Sequence, residues 1–151
     1  MSGVFAPKLT LVPLASWERG GVIAALRRVG LPADDVEEPS RLFWRFENGD
    51  MGPVGFGGLE IHRPHALLRS IVTLPMLRGR HFRHAIVGEI EAEARMAGCS
   101  TAWLLTSSPA YFAQLGYVAC ERAQVPDEIR TTQQFAVLCA TSATVMMKSL
   151  D

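Results

Sequence analysis

The residues with the densest chemical potential in this chain are Arg78, Gly79, Arg80, His81, Phe82 and Arg83, which follow directly on Ser70-Ile71-Val72-Thr73-Leu74-Pro75-Met76-Leu77. The apolar run reads as a buried strand, Pro75 as its stop, and the basic residues as a turn that opens a helix. A helix start leaves backbone N–H groups without intrahelical partners and carries a partial positive charge, to which Arg78, Arg80 and Arg83 add full charges. That combination suits a phosphate or pyrophosphate. The plainer reading is a strand-to-helix connection with solvated arginines.

Hydrophobic periodicity supplies the elements that must position this turn. Leu9 to Leu14 is a short apolar strand, and Ser16 can cap a helix to Val29 with Val22, Ile23, Leu26 and Val29 on one face. Arg41 to Glu47 alternates as a strand, Asn48-Gly49-Asp50 forms a hairpin turn, and Val54 to His62 returns. After the turn His62 to His65 comes the strand Ala66 to Thr73. The basic turn then opens a helix from Gly79 to Ala97, which buries Phe82, Ile86 and Ile90 and stops at Gly98. Thr101 to Thr106 is a buried strand, and Ser108-Pro109 opens a short helix that Gly116 closes. Tyr117 to Cys120 and Val145 to Leu150 read as closing strands, with a helical piece at Pro126 to Arg130 between them. The alternation predicts an α/β fold with a mixed central sheet of six to seven strands flanked by helices.

Composition excludes several function classes. With 151 residues, 48% of them hydrophobic, the chain fits one domain with a sizeable core. Fifteen basic and fifteen acidic residues cancel, so no whole-molecule field favours nucleic acid or an anionic membrane surface. No apolar run approaches the roughly 20 residues that span a bilayer, and Met1 to Lys8 lacks the order of a signal peptide, so a cytoplasmic location is expected. Cys99, Cys120 and Cys139 are widely spaced and read as free thiols and small core residues. His62, His65, His81 and His84 find no cysteine or carboxylate in metal-ligand spacing, and no metal is expected.

The strand, Pro75 and Arg78-Gly79-Arg80 resemble the acyl-CoA loop of the GNAT acetyltransferase superfamily, where Arg/Gln-x-x-Gly-x-Gly/Ala leads into a long helix. His81 and Arg83 stand where that pattern has small residues. The predicted element order is similar to the GNAT fold along nearly the whole chain. Gly57-Gly58-Leu59-Glu60, Leu67-Leu68-Arg69-Ser70, Tyr111-Phe112-Ala113-Gln114-Leu115-Gly116-Tyr117, Val125 to Arg130 and Phe135 to Ala143 further resemble the arsenic-resistance N-acetyltransferase-like subfamily. Gln134 and Ala140 depart from it, standing where an acidic residue and a proline are expected.

The resemblance implies an N-acetyltransferase that moves the acetyl group of acetyl-CoA, a co-substrate, to the amine of a small molecule by direct attack. It implies that the backbone of Val72, Thr73 and Leu74 pairs with the pantetheine arm and polarises the thioester carbonyl, while Arg78 to Arg83 hold the pyrophosphate. Positioning and oxyanion-like stabilisation then supply most of the rate, and proton transfer adds about 10²–10⁴-fold. Glu60 is the candidate base, the alternative being a surface glutamate on a half-exposed strand. Tyr111 is the candidate acid for the departing thiolate, although the tyrosine more usual in GNAT enzymes aligns with Phe112; the alternative is a packed aromatic. Arg69, Thr106 and Arg130 could orient an anionic group of the acceptor, or serve as plain ion-pair and turn residues. Edge strands near the C-terminus leave room for a homodimer. A second class of function stays open, a GNAT-shaped ligand-binding or interaction module whose altered turn no longer binds acetyl-CoA productively.

Overall fold

The computed structural model describes residues 8–14, 19–28, 41–74, 82–132, 135 and 143–151. Among them the elements run β1 (Thr10–Pro13), α1 (Arg19–Arg28), β2 (Arg41–Asn48), β3 (Gly52–His62), β4 (His65–Thr73), α2 (Phe82–Met96), β5 (Thr101–Thr106), α3 (Pro109–Gln114), β6 (Val118–Ala119), α4 (Asp127–Arg130) and β7 (Thr144–Ser149). The strands form one mixed sheet in the order β1-β2-β3-β4-β5-β7-β6. The expected alternation and the upper strand count agree with this. The closing strand expected over Tyr117 to Cys120 shortens to two residues, because the chain turns at once into a 3₁₀ helix over Arg122–Gln124 whose ends Glu121 and Gln124 cap reciprocally. The expected cap Ser16 and the expected helix bounds Val29 and Gly79 lie outside the described residues.

Local chemistry sets the register. Asn48 Oδ1 accepts the backbone N–H groups of Asp50 (3.0 Å) and Met51 (3.2 Å), closing the β2–β3 hairpin and pairing β2 with β3 antiparallel from Asn48↔Gly52 to Arg41↔Glu60. The sheet then buries both faces. On one, Trp44, Phe46, Leu59 and Leu68 pack under Phe82, Ile86 and Ile90 of α2. On the other, Phe43 and Val72 meet Leu14 and Leu26, while Leu67, Trp103 and Val145 meet Ile129 of α4 and Phe135. Close approach of α2 requires glycine on β3, since a Cβ on Gly57 would stand 2.5 Å from Ile90 Cδ1. Gly98, at φ +88°, ends α2 in the left-handed region, and the next amide, Cys99 N–H, returns to the carbonyl of Ala94 (3.0 Å). Nearer its start, α2 sets Ile86 against Gly55, the β3 partner of Thr73 at the end of β4.

Candidate active site

β4 and β5 are parallel neighbours, yet their ladder covers only His65↔Thr101, Ala66↔Ala102 and Leu67↔Trp103. β4 continues to Thr73 and β5 to Thr106 without further pairing. The apex of this wedge is pinned by the indole N–H of Trp103, which donates to His65 Nδ1 at 3.4 Å with the rings edge to face. Beyond it, β4 and β5 share no ladder among the described residues, an arrangement in which an extended ligand can lie along a strand.

β4 also changes course along the wedge. Gly58 faces Arg69 and Phe56 faces Val72, so Ser70 and Ile71 together oppose Gly57 in a bulge. Ser70 sits there at φ 61°, a left-handed value that a residue with a Cβ adopts only when its surroundings enforce it. A bulge bends its strand, and backbone strain of this kind clusters at functional sites.

The buried polar cluster beside the bulge unites two residues named from sequence. Glu60 is fully buried on β3, and Arg69 Nη1 on β4 donates to its Oε2 at 3.1 Å. Arg69 Nε donates to Ser70 Oγ (3.0 Å), and its guanidinium lies 5.5 Å from the Phe43 ring centroid. His62 Nε2 stands 3.1 Å from Glu60 Oε1. Buried charges demand such pairing, and the cluster holds the carboxylate in a defined orientation. Sequence reading left His62 as a turn residue. The signal for its role is its two-residue spacing from Glu60, which puts both on one face of β3.

The other wall of the wedge leads into α3. Tyr111 packs edge to face on Phe112, with centroids 5.1 Å apart, and the guanidinium of Arg83 lies 4.1 Å from the Tyr111 centroid and 5.0 Å from that of Phe112. The hydroxyls of Tyr111 and Thr73 are buried with no hydrogen-bond partner among the described residues. Burial pushes the Tyr111 phenol above the ordinary tyrosine range, and Arg83 offsets part of that rise; burial likewise pulls Arg83 down against the effect of Tyr111. Two orphan hydroxyls, one at the end of β4 and one on the helix after β5, are what a ligand threaded between them would satisfy.

The remaining candidates are dispersed. The Thr106 hydroxyl ends β5 by accepting the Ser108 backbone N–H (2.8 Å). Arg130 pairs with Asp127 on the exposed side of α4. Val72 and Phe82 serve the two cores with their side chains, and Leu74 packs at the edge of one. Arg78, Gly79, Arg80 and His81 lie outside the described residues.

Residues 12–117 match the Acetyltransferase (GNAT) family. The chain belongs to the GNAT acetyltransferase family. A GNAT acetyltransferase is an acyl-CoA-dependent N-acyltransferase, with the acyl-CoA as co-substrate. Solved structures repeat the fold. Rv2747 from Mycobacterium tuberculosis, in complex with CoA, superposes with a TM-score of 0.73 at 19% identity, over 95% of this chain and 99% of that one. N-acetylglutamate synthase from Neisseria gonorrhoeae, complexed with coenzyme A and L-arginine, gives 0.74 at 14% identity over 95% of this chain and 33% of its own. The ribosomal-protein-S18-alanine N-acetyltransferase from Escherichia coli gives 0.69 at 15% identity over 95% of each. No match to a curated protein was found.

Proposed function

We propose that this GNAT protein transfers acetyl from acetyl-CoA to the amine of a small molecule, with the pantetheine arm lying in the wedge between β4 and β5. The observation that carries this reading is the ladder that stops at Leu67↔Trp103 beside a strained bulge at Ser70, with orphan hydroxyls on both sides. CoA-bound relatives of the same fold support the occupant. Glu60 is the general base: the amine nitrogen attacks the thioester carbon, its proton passes to the Glu60 carboxylate directly or through water, and Arg69 and His62 keep that carboxylate aimed. When the C–S bond breaks, the thiolate takes a proton from Tyr111. The Arg69 contribution to the acceptor is indirect, through Glu60, whereas Arg130 retains the exposure needed to meet an anionic group.

The arsenic-resistance-like subfamily is a separate part of this reading, which rests on the sequence blocks around Glu60, Tyr111 and Arg130 and supplies no substrate of its own. Among the described residues no helix is long and apolar enough to cross a membrane, and Cys99 and Cys120 are free thiols, which supports work in a reducing cytoplasm. The test is a screen of amines, amino acids and amino-phosphonates with acetyl-CoA, following thiol release and the mass of the product. A small amine that raises CoA release and gains an acetyl group is expected. Release only with a peptide or protein amine would contradict the acceptor class.

A further inference from the structure

Arg83 occupies the first turn of α2, where sequence reading directs it to a phosphate, yet its guanidinium is engaged elsewhere. It reaches across to α3 and lies over the Tyr111 ring at 4.1 Å and the Phe112 ring at 5.0 Å. The stack is half-buried, and the phenol hydroxyl beneath it has no partner among the described residues. A planar guanidinium stacks on an aromatic face while a lysine ammonium does so less specifically, so the contact restrains the ring as well as charging its surroundings. Phe112 packs edge to face on Tyr111 beside the same guanidinium.

We propose that Arg83 is a positioning residue for Tyr111, holding the phenol where it protonates the departing thiolate and steadying the phenolate left behind. This rests on the reading of Tyr111 as the acid. In the step, the C–S bond of the tetrahedral intermediate breaks with its electron pair on sulfur. The Tyr111 O–H proton moves to sulfur to give free CoA thiol, and the phenolate regains a proton from water. The cationic guanidinium over the ring favours the charged phenolate, in the same direction as its effect on the resting phenol. The binding of phosphates then falls to backbone N–H groups and to Arg78 and Arg80.

The experiment is a double-mutant cycle: wild type, Arg83→Gln, Arg83→Lys, Tyr111→Phe and Arg83→Gln/Tyr111→Phe, each measured for kcat, for the KM of acetyl-CoA, and for acetyl-CoA affinity by calorimetry. Tyr111→Phe should lower kcat about 10-fold. Arg83→Gln should lower kcat about 3- to 10-fold, as loss of a partly desolvated cation–π contact implies, with acetyl-CoA KM and Kd kept within about twofold. Arg83→Lys should recover part of that loss. In the Tyr111→Phe background Arg83→Gln should add nothing, because the two residues act as one unit. Calorimetric binding in each variant shows that it is folded. An Arg83→Gln protein with normal kcat and weakened acetyl-CoA binding, or one that costs as much without the phenol as with it, overturns the proposal. Tyr111→Phe with wild-type kcat overturns the acid reading itself, and this inference with it.

Discussion

Glu91 and Glu60 are both buried carboxylates with a cationic partner and a third polar neighbour, and they stand in opposite kinds of surroundings. Glu91, on α2, receives Tyr117 Oη at 2.8 Å and Lys148 Nζ at 3.1 Å, which ties α2 to β7. Glu60 receives Arg69 and lies against His62 beside a strained bulge, near the point where the β4–β5 ladder stops. The tyrosines divide in the same way. Tyr111 and Tyr117 both pack edge to face on Phe112, at 5.1 and 5.8 Å, but Tyr117 has a carboxylate for its hydroxyl and Tyr111 has no partner among the described residues. A polar cluster that satisfies itself is a brace. A hydroxyl left unmet among the described residues, as at Tyr111 and Thr73, is placed to take its partner from a ligand.

The largest expected effect breaks the comparison at the carboxylates. Glu60→Gln should lower kcat/KM by about 10²-fold or more, with acetyl-CoA affinity near wild type. Glu91→Gln should keep kcat and lower unfolding stability by about 1–3 kcal/mol, since Tyr117 and Lys148 lose a charged acceptor. Denaturant titration and steady-state kinetics on the two variants separate a catalytic carboxylate from a bracing one. Equal losses of turnover in both would erase the distinction.

The tyrosines sharpen it at smaller scale. Tyr111→Phe removes a hydroxyl with no partner among the described residues, so it should cost about 10-fold in kcat and leave the melting temperature unchanged or raised. Tyr117→Phe should do the reverse, keeping kcat and lowering stability by about 1.5–3 kcal/mol, the range for a hydrogen bond to a charged group.

The smallest effect concerns pH. Burial, and then Glu91 by charge and hydrogen bond, push the Tyr117 phenol far above the ordinary tyrosine range. A phenol raised on folding contributes stability that is fully present below its unfolded value of ~10 and is lost as pH climbs from there toward the folded value. Wild-type stability should therefore fall above about pH 10, and Tyr117→Phe should flatten that fall. An identical alkaline slope in the variant would assign the loss to other groups.

Much of this organisation is legible in the residues themselves. The Thr101–Thr106 strand, the short helix after Pro109 and the order of elements follow from periodicity, turn chemistry and capping, which are local. The wedge is not local, because the point where β4 leaves β5 depends on the Trp103–His65 contact and on a bulge visible only once Gly57 is seen opposite two residues. For the same reason Arg69 looks from sequence like a free acceptor anchor. The β3–β4 register places Glu60 opposite Leu67, two residues from Arg69 and therefore on its face, and the arginine is spent on that carboxylate. Arg83 is the sharpest case: it follows Arg78 and Arg80 in a basic turn, whereas its neighbours in space are two aromatic rings 28 and 29 residues away.

The most direct test of the central claim, that the wedge between β4 and β5 takes an acyl-CoA arm, is calorimetric titration of the wild-type protein with acetyl-CoA. The account predicts saturable heat with one site per chain, despite His81 and Arg83 at positions where the family pattern has small residues. No heat at millimolar acetyl-CoA, together with binding gained in a His81→Gly/Arg83→Gly protein, would contradict it and make the fold a binding module with a closed cofactor loop.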